Sequence, residues 1–253
     1  MQRLLLTLRF DGTRYHGWQV QNNAVTVQQI LQDAIERVTG FRSPVIGCSR
    51  TDAGVHANMF CCTIDTASAL RGKAMTAALN ANLPRDIAVY RCREVTQDFH
   101  PRYSASGKRY LYRIWNASER NPFWENYAIH QRRVIDTDRL NMAAADYIGK
   151  HDFASFCAAG SSVQDTVRSV KSCGISREGE LVTFYVEADG FLYNMVRIMV
   201  GTLLDISAGK REYDCIPSVI QAHNRLAAGA TAPAKGLILN RVYYDGPFAD
   251  IEI

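Results

Sequence analysis

Residues 47–57 read GCSRTDAGVHA, with an arginine and an aspartate two positions apart, Arg50 and Asp52, and glycine at 47 and 54. In extended backbone, residues two apart point to the same side. The spacing therefore sets a guanidinium beside a carboxylate and keeps that carboxylate ionised. An ionised carboxylate suits a nucleophile or a base, and not a general acid, which needs a raised pKa. The small residues Ser49, Thr51, Ala53 and Gly54 let another backbone approach closely. Most loop aspartates only shape turns or cap helices. Asp52 differs in lying just past the apolar run PVIG, where SPVIGCS reads as a short buried strand leading into a bend. A second charge sits where charge is costly. Arg197 lies inside the apolar stretch FLYNMVRIMVGTLLDI, and a buried arginine calls for a buried anion.

Other chemistries lack their residues. No G-x-G-x-x-G follows a strand and no G-x-x-x-x-G-K-[ST] occurs, so neither a dinucleotide nor a nucleoside triphosphate is indicated. The zinc deaminase pattern, C-x-x-C pairs and G-x-S-x-G are all missing. His56, near Cys48 and Cys61, matches no metal-ligand spacing and reads as ordering its loop. No metal, nucleotide or other cofactor is expected.

The chain has 253 residues, 47 % of them hydrophobic, enough for one large domain or two small ones. Its 29 Lys+Arg against 25 Asp+Glu give a net charge of only +4, so any polyanion site must be a local basic cleft. Arginine far outnumbers lysine, and its planar fork suits phosphate and carboxylate. Seven cysteines form no disulfide framework. The N-terminal apolar run is too short for a signal peptide and is cut by Arg9. No run approaches the roughly 18 apolar residues of a membrane span. A cytoplasmic protein is expected.

The elements that must carry these residues alternate between strand and helix. LLLTLRF (4–10) reads as a strand. In TVQQILQDAIERVTG, Thr26 and Gln29 form a capping box, Val27, Ile30, Leu31, Ala34, Ile35 and Val38 make one stripe, and Gly40 suits the C-terminal cap. MFCCTID and IAVYRCREV read as strands, and LRGKAMTAALNANL as a helix ending before Pro84. In the second half, KRYLYRIWN (108–116) alternates as a strand, with Lys108 and Tyr110 on one side and Arg109 and Arg113 on the other. DTDRLNMAAADYIG is a capped helix, and TVRSVKSCGISREGELVTFYVEADG a hairpin turning at 178–180. FLYNMVRIMVGTLLDISAG and PSVIQAHNRLAAG read as helices, and GLILNRVYYD as the closing strand. The fold class is α+β: two ferredoxin-like or RNA-recognition-like halves sharing an extended, mainly antiparallel sheet with helices packed on it. The turn-rich FHPRYSASGK marks the boundary, giving domains 1–104, with the Asp52 loop, and 105–253.

GCSRTDAGVHA resembles the signature of the TruA-type tRNA pseudouridine synthases. LRFDGTRYHGWQVQ (8–21), LNANLPRDIAV (79–89), DFHPRYSASGKRYLYRI (98–114), GFLYNMVRIMVGTLL (190–204) and AKGLILNRVYYD (234–245) resemble further blocks of that family, in its order and over essentially the whole chain. Pro101 departs from the alanine of many relatives and should only stiffen the linker. The resemblance implies isomerisation of uridine to pseudouridine in tRNA, at positions 38–40 of the anticodon arm, in a central RNA-binding cleft that 105–253 completes, with no cofactor, by a homodimer whose subunits share one tRNA. It makes Asp52 the catalytic aspartate; attack on C1′ or on the base, or removal of a sugar proton, stays open. It makes Arg50 a holder of the extruded nucleotide and Arg197 the partner of the catalytic carboxylate. It makes Tyr110 the tyrosine against the target base, Tyr112 being a competitor better read as core, and Phe191 and Leu237 apolar neighbours of that base. Arg14, Arg102 and Lys108 are the candidates for RNA-backbone contacts. The alternatives are a non-catalytic RNA-binding module, a synthase of this family acting on other tRNA uridines, and a nucleoside glycosidase.

Overall fold

Leucine at 4, 5, 6 and 8 makes the first strand apolar on both faces, the pattern of a strand covered on both sides. In the computed structural model, which describes residues 1–161, 163–246 and 249, the chain divides into two units. The first is Met1–Ser106 with the chain from Ile238 onward; the second is Gly107–Leu237. The first runs β1 (Gln2–Phe10), α1 (Val27–Thr39), β2 (Ile46–Gly47), β3 (His56–Thr66), α2 (Gly72–Asn82) and β4 (Ile87–Val95). The second runs β5 (Ala105–Trp115), β6 (Ile129–His130), α3 (Thr137–Ala145), β7 (Gly149–Asp152), β8 (Val167–Glu178), β9 (Leu181–Ala188), α4 (Met195–Ser207) and α5 (Ile216–Gln221). The last strand, β10 (Leu237–Tyr244), returns to the first unit.

In the first unit β1 lies between β4 and β3, antiparallel to both. The α1 termini follow the sequence. Thr26 is extended and its side chain accepts from Gln29 N–H, while Gly40 takes φ 74 and donates to Glu36 C=O. Val27, Leu31, Ala34 and Ile35 are buried along the expected stripe, with Ile30 and Val38 at its margin. Asn80 on α2 closes on β4 with both ends of its amide, donating to Val89 C=O at 2.7 Å and accepting from Val89 N–H at 2.8 Å. β10 runs parallel to β3, pairing Ile238 with His56 and Leu239 with Ala57. That pairing takes the last strand out of the expected 105–253 domain. The expected linker also packs: Phe99 lies against Tyr244, and Pro101 C=O accepts from the Tyr244 hydroxyl at 2.7 Å.

In the second unit β5, β9, β8 and β7 form an antiparallel run, and β6 lies parallel to β5. Tyr110, Tyr112, Ile114, Val182, Phe184 and Val186 alternate onto the buried face. α4 is buried at nine of its thirteen positions, as its near-continuous apolar sequence requires. The hairpin joins Glu178 and Leu181 as a cross-strand pair, with Gly179 at φ 56. The helix expected over PSVIQAHNRLAAG covers only 216–221. His223 leaves helical backbone at φ 45, and Asn224 N–H is taken by Ser155 Oγ at 2.9 Å. Each unit is thus α+β with a mostly antiparallel sheet.

Candidate active site

Asp52 sits on a loop that two neighbours hold by main chain. The expected buried strand before it shrinks to β2, two residues paired with Cys62 and Thr63 of β3. Cys48 adds one more rung, donating N–H to Cys61 C=O at 2.8 Å, before the chain turns away. The Trp18 indole stands over Gly47, where a Cβ would lie 2.7 Å from Nε1. Asp52 is half-buried.

Residues 11–18, the loop after β1, form the brace. Trp18 N–H donates to Thr51 C=O at 3.1 Å, and Gly54 N–H donates to Tyr15 C=O at 3.2 Å, one bond on each side of Asp52. Val55 N–H closes a turn onto Asp52 C=O at 3.2 Å, with Gly54 at φ 77. The approach admits no side chain at Gly17, which has φ 82 and where a Cβ would meet Thr51 C=O at 2.3 Å. A Cβ on Gly12 would meet Val55 C=O at 2.0 Å. His56, at the head of β3, orders the same corner: Gly12 N–H donates to its Nδ1 at 3.0 Å, with Asp11 Oδ1 3.2 Å away. Asp86 anchors the brace from the head of β4. Tyr15 OH donates to its Oδ1 at 2.7 Å, Arg14 Nε meets its Oδ2 at 2.8 Å, and its C=O accepts from Asp11 N–H. Burial, then the hydrogen bond to Asp86, pushes the Tyr15 hydroxyl up to about 12, so it is protonated at neutral pH. Burial also drives up the thiol pKa of Cys61 and of Cys62 behind the loop, which marks them as inert core residues.

Arg50 departs from its expected place. It is exposed and makes no ion pair or side-chain hydrogen bond among the described residues. The two-apart rule assumes a strand, and residues 48–52 lie outside any strand, with a bend at Cys48 and the turn closed only from Asp52 onward. Arg14 is exposed although bonded to Asp86, and Arg102 is exposed beside the Tyr103 ring.

The remaining candidates belong to the second unit. Tyr110, 6 % exposed, packs edge-on against Phe191 with ring centroids 5.0 Å apart. Tyr112 is fully buried and spends its hydroxyl on Pro233 C=O at 2.7 Å, a core residue. Its ring meets Gly236, where a Cβ would lie 2.8 Å from ring carbons, and the next residue, Leu237, is buried. Lys108 is also buried, while Arg109 and Arg113 on the opposite side lie over Tyr185 and Trp124. Arg197 donates Nε to Ala232 C=O and Nη1 to Asn194 Oδ1, each at 2.7 Å. The segment carrying Ala232 is pressed onto α4, since a Cβ on Gly201 would fall 1.7 Å from Ala230 C=O.

The comparisons decide the lineage. A family profile described as tRNA pseudouridine synthase matches residues 7–104 and 143–245. The chain belongs to the tRNA pseudouridine synthase family. It is 43 % identical over 244 residues to the tRNA pseudouridine synthase A of Acetivibrio thermocellus, covering 96 % of this chain and all of that one. It is 41 % identical to the protein of the same name from Clostridium kluyveri, again over 96 % of this chain and all of the other. A chain from a crystal structure of a Cbf5-Nop10-Gar1 complex aligns over 93 % of this chain and 57 % of its own, at a TM-score of 0.39 and 11 % identity, too slight a likeness to bear on fold or function.

GCSRTDAGVHA marks the loop but not what holds it. Gly12, Tyr15, Gly17, Trp18 and Asp86 carry the brace, and the available signal was the pair of glycines in FDGTRYHGW, two close approaches within six residues.

Proposed function

We propose that Asp52 is the catalytic nucleophile of this synthase and that the target uridines are positions 38–40 of the tRNA anticodon arm. The activity itself follows from membership: the protein is an isomerase that converts tRNA uridine to pseudouridine. The glycosidic N1–C1′ bond breaks, the base turns, and C5 bonds to C1′, with no redox change and no group lost. The observation that carries the Asp52 reading is its loop, pinned by one main-chain bond on each side and by a glycine contact that excludes a Cβ. A carboxylate so held keeps its direction while a substrate enters, which is what a nucleophile or base needs. Attack at C1′, attack at C6 and removal of a sugar proton all use the same oxygen pair.

The target base must leave its stack before C1′ and C5 can be reached. Tyr110, with Phe191 and Leu237, supplies an aromatic and apolar receiver for it, and stacking of this kind contributes about 1–3 kcal/mol per base. Arg197 holds the charge of the carboxylate. Arg50 helps hold the extruded nucleotide; in support, it is exposed and without an ion pair among the described residues. Arg14 and Arg102 offer exposed backbone contacts; Lys108, buried, has the least free surface of the three. A homodimer acts on tRNA in the cytoplasm. In support of the location, none of the seven cysteines is in a disulfide, and among the described residues no helix is long and apolar enough to cross a membrane.

Mapping pseudouridine in an unmodified tRNA transcript, with chromatography of small products, tests this reading. The expected result is pseudouridine confined to positions 38–40 and no free uracil. Pseudouridine elsewhere overturns the site assignment, and free uracil with an abasic residue points to a glycosidase. Binding without product on every tRNA tried leaves a binding module.

A further inference from the structure

We propose that Asn194 is a positioning residue that fixes the direction of the Arg197 guanidinium, an inference that rests on reading Arg197 as the partner of the catalytic carboxylate. Asn194 is the N-cap of α4. An asparagine there ordinarily has extended backbone and gives its side-chain oxygen to a backbone N–H of the first turn. Asn194 does neither. It is left-handed, at φ 60 and ψ 10, and makes no capping bond. Its Oδ1 accepts instead from Arg197 Nη1, 2.7 Å away and three residues on, where the first helical turn brings the two side chains together. Left-handed backbone and a forgone cap both lower stability. Among the described non-glycine residues only His223 shares a positive φ.

A second hold completes the clamp. Ala232 C=O accepts from Arg197 Nε at 2.7 Å, and Ala232 N–H donates to Arg197 C=O at 3.1 Å, so side chain and main chain are fixed to one segment. Asn194 Oδ1 and Ala232 C=O are neutral, so these two acceptors direct the guanidinium without themselves cancelling its charge. Aspartate at 194 would hold the same nitrogen and spend that charge. Asparagine combines a neutral acceptor with tolerance of left-handed backbone.

The test is Asn194→Gly in the full chain. Glycine adopts this backbone without strain, so the clamp goes and the fold stays. The expected result is a thermal midpoint at or above wild type, unchanged tRNA affinity, and single-turnover pseudouridine formation slower by roughly ten- to a hundredfold, the scale of a misdirected group. Arg197→Met should be slow, and adding Asn194→Gly to it should cost nothing more. If Arg197→Met turns over as wild type, the reading of Arg197 fails and this inference with it. If Arg197→Met is slow while Asn194→Gly is not, or the two losses multiply in the double variant, only the role of Asn194 is overturned. A lowered thermal midpoint in Asn194→Gly also overturns it, because a structural role would then explain the loss.

Discussion

The Asp52 loop and the Arg197 clamp hold charges of opposite sign by opposite means. Asp52 is carried on a loop and fixed by main chain: Trp18 and Gly54 each donate an N–H across two stretches of backbone that approach only because residue 17 lacks a side chain. Arg197 is carried on a buried helix and fixed at its tip, by a side-chain amide and a carbonyl. A loop has no rigidity of its own, so its backbone must be tied down. A helix is already rigid, and only the long arginine side chain needs direction.

Glycine substitutions probe the contrast most severely. Gly17→Ala forces a Cβ to 2.3 Å from Thr51 C=O at a φ of 82. Left-handed strain alone costs about 1–2 kcal/mol, and relief must come from shifting the residue next to Asp52. Pseudouridine formation should fall by roughly a hundredfold, more than tRNA affinity does. Gly201→Ala has no such φ, but its Cβ would lie 1.7 Å from Ala230 C=O. It should cost about 1–3 kcal/mol of overpacking, read as a lowered thermal midpoint, and slow turnover by moving Ala232 off Arg197. If Gly17→Ala leaves turnover intact, the brace does not position Asp52 and the contrast is lost.

The two tyrosines of β5 sharpen it further. Tyr110→Ala should lower turnover about 5- to 150-fold, the equivalent of losing one stacked base, beyond any loss of tRNA affinity. An equal fall in both makes Tyr110 a binding residue only. Tyr112→Phe removes the bond to Pro233 C=O and should cost about 1 kcal/mol of stability, with turnover per folded molecule unchanged.

The smallest effect is on pH. Arg3 donates to both carboxylate oxygens of Asp65, at 2.9 and 2.8 Å, and this hydrogen bonding lowers the Asp65 pKa. A depressed carboxylate contributes stability that is present above its unfolded pKa, about 3.9, and is lost as pH falls through the lower folded value. The gap in thermal midpoint between wild type and Arg3→Gln should therefore be open at pH 7 and close below about pH 4. A gap that persists in acid would assign the Arg3 effect to packing.

Much of this was legible in the residues. Thr26, Gln29 and Gly40 delimit α1, and the alternation of KRYLYRIWN sorts Tyr110 and Tyr112 from Arg109 and Arg113, because both signals are local and periodic. Arg50 was misplaced because its reading assumed a strand running through 50–52, where the chain has already left β2. The return of β10 to β3 could not be read, since pairing of residues 56 and 238 leaves no mark on either segment. The oxygens that take Arg197 were also hidden. Burial predicts that an arginine needs partners, but not that Asn194 would give up its cap to be one.

The most direct test of the account is Asp52→Asn, an isosteric loss of charge, measured as single-turnover pseudouridine formation beside tRNA affinity. The account predicts that binding and thermal midpoint persist while turnover falls on the order of 10⁴-fold or more, as when a nucleophile is removed. Product formed at the wild-type rate would contradict it, and the chemistry would then belong to another residue.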